Sequence, residues 1–253
     1  MSSHIPSKRF QEECRLEVIA QGQDARFQEV SRDWLATATE HKYSYHFSWL
    51  GRPIIQLPQD VLAMQELIWR VQPDLIVETG IAHGGSLVFS AAMLELNASC
   101  GGPGEAEVLG IDIDIRSHNR RAIEEHPMAR RISMIEGSSV DPLVADQVRE
   151  RAESADRVLV CLDSNHTHEH VLAELEVYAP LVTIDSYCVV FDTVIEQLSE
   201  RAYPDRTWGP GNNPMTAVRD YLDQHPEFQI DHVIDAKLAL SSLPNGYLRR
   251  VSN

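Results

Sequence analysis

A succession of short apolar runs, each separated from the next by a stretch of helix-type spacing, sets the strongest limit on how this chain can fold. The runs are Leu75-Ile-Val77, Val108 to Ile111, Ile132 to Ile135, Val158 to Leu162, Leu181 to Ile184 continued by Tyr187 to Phe191, and Tyr247 to Val251. Runs without polar alternation are strands buried on both faces, and intervening helices make the sheet parallel. The expected class is therefore α/β, with a Rossmann-like, doubly wound, mostly parallel sheet. A chain of 253 residues that is 43% hydrophobic buries one such core. Ahead of it, Leu16, Ile19, Ala20, Phe27, Val30 and Trp34 give Lys8 to Glu40 helical spacing. The aromatic segment Tyr43 to Trp49, the turn Gly51-Arg-Pro53 and the amphipathic Val61 to Val71 follow. The expected division is an N-terminal helical appendage with an aromatic flap over 1–60 and the Rossmann-like domain over 61–253.

The first run enters Glu78-Thr-Gly80-Ile-Ala-His83-Gly84-Gly85-Ser86 and then the apolar stretch Leu87 to Leu96. A glycine-rich turn at the carboxyl end of a strand is where open α/β sheets bind ligands. A dinucleotide fingerprint needs G-x-G-x-x-G, so that backbone approaches a pyrophosphate. Here the spacing is G-x-x-x-G-G with an acid two residues before the first glycine, which suits a cation better than a phosphate. S-adenosylmethionine carries an ammonium and a sulfonium and no phosphate, so Glu78 is expected near its amino-acid end, with Gly80, His83, Gly84 and Ser86 around it. Asp112, closing the second run, is placed to take the ribose hydroxyls. The third run ends in Glu136-Gly137-Ser138-Ser139, a turn of small residues suited to the adenine edge.

The net charge of −16 opposes nucleic acid and anionic membrane as partners, since Arg116 to Arg121 and Arg130-Arg131 are the main basic clusters. Neither a basic region followed by an apolar run at Met1-Ser-Ser-His-Ile-Pro6 nor a stretch of about 18 apolar residues occurs, so a cytoplasmic location is expected. Cys14, Cys100, Cys161 and Cys188 are too scattered for a zinc site and read as reduced thiols. A homo-oligomer is the expected assembly.

Four ordered strings carry a family resemblance over roughly residues 45 to 250: Glu78 to Ser86, Leu162-Asp-Ser-Asn-His-Thr-His-Glu-His170, Tyr187-Cys-Val-Val-Phe-Asp-Thr193 and Trp208-Gly-Pro-Gly-Asn-Asn-Pro214. They resemble the cephalosporin hydroxylase family, which spans antibiotic-pathway and rhamnosyl-type sugar O-methyltransferases. The resemblance implies a class I methyltransferase fold and a sugar or natural-product acceptor. More distantly, the second and third strings are similar to those of magnesium-dependent catechol-type O-methyltransferases.

Asp163 closes one apolar run and Asp192 follows another, so both carboxylates are expected at the carboxyl edge of neighbouring strands. Two hard oxygen ligands suit Mg²⁺. Catechol-type relatives have an Asp-Asn pair where this chain has Asp192-Thr193, and closer relatives carry an acidic pair where it has Phe191-Asp192. His166 matches the general base of the catechol-type relatives, and imidazole has the right pKa to accept a hydroxyl proton. His168 and His170 read as capping or hydrogen-bonding residues. Trp208 to Pro214 reads as a substrate-facing or structural loop, and Tyr43, Tyr45, Phe47 and Trp49 as a wall over a sugar ring or as core. The rival readings are an oxidoreductase or hydroxylase, opposed by the glycine spacing and by the lack of a two-histidine, one-carboxylate step, and a cofactor-binding module without catalysis.

Overall fold

Each apolar run except Leu181 to Ile184 becomes a strand of a seven-stranded sheet in the computed structural model, which describes residues 7–200 and 202–252. The opening Met1 to Pro6 lies outside the described residues. The chain begins with helices α1 (Lys8–Gln23) and α2 (Ala25–Glu40). The expected helical appendage is divided at Asp24, whose carboxylate accepts the Phe27 N–H at 3.0 Å and so caps α2. A 3₁₀ turn, Tyr43–His46, leads to a hairpin of β1 (Phe47–Trp49) and β2 (Arg52–Ile54), and α3 (Pro58–Val71) follows with proline in its first turn. Helix α3 thus starts just ahead of the expected boundary at 60.

The main unit then runs β3 (Leu75–Thr79), α4 (Gly85–Ser99), β4 (Glu107–Asp112), α5 (Ser117–Glu124), β5 (Ile132–Glu136), α6 (Pro142–Glu153), β6 (Val158–Leu162), α7 (His168–Tyr178) and β7 (Tyr187–Val190). It ends with α8 (Pro214–Leu222), β8 (Phe228–Ile230), α9 (His232–Lys237) and β9 (Tyr247–Arg250). The sheet order is β5-β4-β3-β6-β7-β9-β8, parallel as far as β7 and antiparallel at β9 and β8.

Alternate residues of the strands serve two cores. Ile76, Val108, Leu159 and Val189 face α3 and α4, whereas Val77, Leu109, Val160 and Val190 face α6, α7 and α8. Double burial is why these strands lack polar alternation. Leu181 to Ile184 is not a strand. Val182 is fully buried, but Thr183 turns its hydroxyl to accept the Val158 N–H at 3.2 Å and Asp185 adopts positive φ, so the run is a packed approach to β7. Among the described residues no helix is long and apolar enough to cross a membrane.

Candidate active site

Chain order reverses between β3 and β6, and the loops leaving those two strands part at the carboxyl edge of the sheet. They remain pressed together at one point. Gly80 has φ +88°, and a Cβ there would lie 1.9 Å from the Asp163 carbonyl oxygen, so no other residue fits. The Asp163 N–H in turn bonds the Thr79 carbonyl at 3.0 Å. The two loops therefore set each other's position, and with it that of the Asp163 side chain.

A cleft of about 420 Å³ opens on one side of this junction, lined by Gly80, Asp112, Ser138, Ser139, Ser164 and His170 among others. A much smaller pocket continues past Gly80 to His83, Ser86 and Asp163 under a roof made by Pro53 to Gln56. Behind Ser86 lies Glu78, buried and bonded by the Ser86 hydroxyl. Burial pushes the Glu78 carboxyl up to about 8, with the Ser86 bond opposing and the Asp163 charge adding to the rise. Asp112 stands on the cleft, where its Oδ2 accepts the Ile81 N–H at 2.8 Å and the Ala82 N–H at 3.3 Å, and its Oδ1 accepts the Asp114 N–H at 3.0 Å. It is thus a clamp on the glycine loop as well as a wall of the cleft. Two other expected residues take packing roles. Gly84 lies against Ile123 and Gly137 against Val144, and neither lines these clefts.

Two residues that the sequence did not single out hold the same loop. The Arg52 guanidinium donates to the His83 carbonyl and to Asn119 Oδ1, while Asn119 Nδ2 donates to the Ala82 carbonyl. The hairpin is locked against the loop a second time at Gly85, where a Cβ would lie 2.0 Å from the Pro53 carbonyl oxygen. The aromatic segment divides accordingly. Trp49 packs edge-on to Phe89 in the core, and Tyr43 and Tyr45 face a second cleft.

That second cleft, of about 610 Å³, runs from α2 and Tyr43 across Gln56 to His166, Asp192, Tyr203 and Trp208. Ser164, Asp205, Arg206 and Trp208 line both large clefts, so the two meet at the β6 loop. At the meeting point His166 Nε2 lies 3.5 Å from Asp163 Oδ1, and His166 Nδ1 lies 3.2 Å from Asp192 Oδ2. Asp192 sits in the left-handed region at φ 55°, which aspartate tolerates better than most residues and which turns the chain sharply out of β7. Asp163, His166 and Asp192 each offer one ligand atom within 4.8 Å of the others. Despite its short distance to Asp192, the buried His166 Nδ1 has no aligned hydrogen-bond partner among the described residues.

Burial raises the Asp163 carboxyl to about 7, with Asp192 adding to the rise and His166 opposing it. For His166, burial lowers the pKa, but the charges of Asp192 and Asp163 outweigh it and the net direction is up. Two partly sheltered carboxylates beside an imidazole hold protons more firmly than water does. Nearby, Asp60 is fully buried and accepts from Ser241 and Ser242, which ties α3 to the segment beside the second cleft. Phe191 is buried in the core, so hydrocarbon fills the place of a further acid.

The loop Trp208 to Pro214 splits between the two roles expected of it. Trp208 packs on His166 at 5.2 Å and on Tyr203 at 4.6 Å and walls both clefts. The amides are spent on structure. Asn213 forms a capping box at the start of α8, and Asn212 Oδ1 accepts the His168 N–H at 2.9 Å. His168 bonds Thr216 and lies 3.5 Å from Asp220, outside both clefts.

The family described as rhamnosyl O-methyltransferase/CmcI matches residues 41–251. The chain belongs to that family. Rhamnosyl O-methyltransferases of Mycobacterium bovis and Mycobacterium tuberculosis are 33% identical to it over 196 residues, covering 76% of this chain and 73% of theirs. The Mycobacterium leprae protein of that name is 30% identical over 207 residues, covering 80% and 82%. This family member is accordingly an S-adenosylmethionine-dependent O-methyltransferase. Its sheet has the class I methyltransferase fold. Among solved structures, an apo form of CmcI shares the fold with a TM-score of 0.56 at 20% identity, covering 83% of this chain and 78% of that one. A TDP-rhamnose 3'-O-methyltransferase of calicheamicin biosynthesis gives 0.51 at 19%, covering 77% and 80%.

One consequence of the Glu78 environment is measurable. Between the ordinary carboxyl value of 4.5 and about 8, the folded protein retains a proton that the unfolded chain has lost. The stability so contributed is complete below 4.5 and is lost as pH rises through about 8. Glu78→Gln removes this dependence, so the ligand-free variant is expected to melt no lower than the wild type at pH 9. Its affinity for S-adenosylhomocysteine, which shares the ammonium, should fall by about tenfold or more, the usual worth of a hydrogen bond to a charged group. Unchanged affinity by calorimetry would remove Glu78 from the cofactor site.

Proposed function

We propose that the chain methylates a hydroxyl of a sugar, of the rhamnosyl kind or on a sugar-bearing natural product, with Asp163 and Asp192 holding Mg²⁺ and His166 taking the hydroxyl proton. One observation carries this reading. The cleft bearing the residues suited to S-adenosylmethionine and the cleft walled by Tyr43, Tyr45 and Trp208 meet at Ser164, with Asp163 on the small pocket beside Gly80 and His166 on the second cleft. The names of the mycobacterial relatives support the acceptor class.

The residues present fit a divalent ion. Two carboxylate oxygens suit Mg²⁺, and a buried imidazole nitrogen without a bond beside them marks a place where the chain leaves polar capacity unused. When bound there, Mg²⁺ supplies positive charge that lowers the pKa of a nearby hydroxyl. A form of CmcI with magnesium and S-adenosylmethionine is among the fold neighbours, at 19% identity with a TM-score of 0.56.

The remaining work falls to the chain. Glu78 and Ser86 hold the amino-acid end of the donor, Asp112 and Ser139 its ribose and adenine, and the Pro53 to Gln56 roof excludes water. The aromatic wall holds the sugar so that its oxygen faces the methyl group, and this alignment supplies much of the rate. The acceptor oxygen forms a bond to the methyl carbon as the carbon–sulfur bond breaks. The hydroxyl proton passes to the His166 imidazole, and S-adenosylhomocysteine leaves. The test is incubation with S-adenosylmethionine and rhamnosides, with mass spectrometry of the sugar. A gain of one methyl on a hydroxyl is expected, and methylation confined to non-sugar phenols would overturn the acceptor class.

A further inference from the structure

The wall of the cofactor cleft holds a hydrogen-bond relay rooted in a buried acid, of which the chemistry above uses only Ser139. Glu174 on α7 is fully buried, and its Oε2 has no hydrogen-bond partner among the described residues. Its Oε1 accepts the hydroxyl of Ser164 at 2.7 Å. Ser164 Oγ and Ser139 Oγ each lie 3.1 Å from His170 Nε2, and Glu174 Oε1 lies 3.4 Å from the same nitrogen. A hydroxyl has one proton. Since that of Ser164 goes to Glu174, its oxygen can only accept from His170, so Nε2 carries the ring proton. Two consequences follow at the cleft. With the proton on Nε2, Nδ1 of the imidazole is a bare acceptor, with no bond among the described residues. Ser139 cannot donate to a protonated Nε2, so its own proton is available to a ligand.

A neighbouring acceptor and donor match the edge of adenine, which offers the 6-amino group as donor and a ring nitrogen as acceptor. We propose that His170 and Ser139 read this edge of the cofactor, and that Glu174, acting through Ser164, is the positioning residue that fixes the tautomer. The inference rests on S-adenosylmethionine being the donor. Hypoxanthine inverts the pattern, with an oxygen at position 6 and a proton on the adjacent nitrogen; the Ser139 hydroxyl can turn to accept that proton, but the oxygen would face the His170 Nδ1 acceptor and leave it unpaired.

The test is calorimetric binding of S-adenosylhomocysteine against S-inosylhomocysteine. The wild type is expected to prefer the adenine compound by at least about tenfold, the usual penalty for unsatisfied polar groups. In His170→Leu and in Glu174→Leu the ratio should fall toward one, a change that general loosening of the fold would not produce because it weakens both ligands alike. Melting curves report folding. If Glu174→Leu does not fold, His170→Leu still decides, since that side chain is 22% exposed and tolerates exchange. A wild-type ratio near one, or a ratio unchanged in His170→Leu, overturns the inference. If the wild type binds neither compound, the donor reading falls first and this inference with it.

Discussion

His166→Ala is expected to lower kcat by about 10² to 10⁴, the range a positioned general base contributes, while leaving S-adenosylhomocysteine affinity nearly intact. The residue lines the acceptor cleft and not the cofactor cleft, so the loss should appear in turnover. His168→Ala should cost far less, because its ring bonds Thr216 and its backbone N–H bonds Asn212, outside both clefts. The pH dependence carries a sign. A base works only when neutral, so kcat/KM should rise with pH through the His166 pKa. Burial lowers that pKa but Asp192 and Asp163 more than offset it, placing the limb of the metal-free site above the ordinary 6.5. The same raised value means that His166 stabilises the fold most below 6.5 and less as pH climbs through its folded pKa. A divalent cation on the two carboxylates would cancel the charge that holds the proton. An NMR titration of His166 should therefore move to lower pH as Mg²⁺ is added. A variant with wild-type turnover and an unchanged limb would make His166 structural.

Much of this architecture was legible because burial on both faces erases polar alternation. Strands β3, β4, β6 and β7 declared themselves in that way, the half-buried edge strand β5 through Ile132, Met134 and Ile135, and acids placed just beyond such runs pointed to Asp163 and Asp192. Strand β8 did not, since Phe228-Gln-Ile is only three residues at the sheet edge and its sequence gives no run to detect. Leu181 to Ile184 misled for the opposite reason. Leu181 and Val182 pack on the core, yet Ile184 is exposed and Thr183 and Asp185 bend the run out of the sheet.

Within the site, residues acting through their own loop were readable, and those acting across the fold were not. Arg52 reaches His83 and Asn119, separated from it by 31 and 67 positions. No local spacing announces such partners. Glu174 hid differently, as an ordinary acid four residues after His170 on one helix face, and only its complete burial marks it. Gly84 and Gly137 show a second demand on glycine in such turns, since close packing against Ile123 and Val144 leaves no room for a Cβ.

Asp192→Asn is expected to be the most damaging conservative change after loss of His166. It keeps the shape and the left-handed turn, which asparagine tolerates, and removes only the charge. With Phe191 occupying the neighbouring position, no adjacent acid replaces it. Divalent-ion affinity should drop by at least about 10- to 100-fold, since loss of even a group behind a ligand has that effect. The readout is Mg²⁺ or Mn²⁺ binding by calorimetry on the ligand-free protein, independent of turnover. Activity should fall in excess EDTA and return with Mg²⁺. The proton balance gives a second check, because Asp192 raises the pKa of both His166 and Asp163, and the variant should bring both downward. Asp60→Asn offers the contrast. That carboxylate is fully buried against Ser241 and Ser242, and burial raises it to about 6, so its neutralisation should alter stability and leave ion affinity close to wild type. Full activity in EDTA together with wild-type ion binding by Asp192→Asn would leave alignment and His166 as the whole of the catalysis.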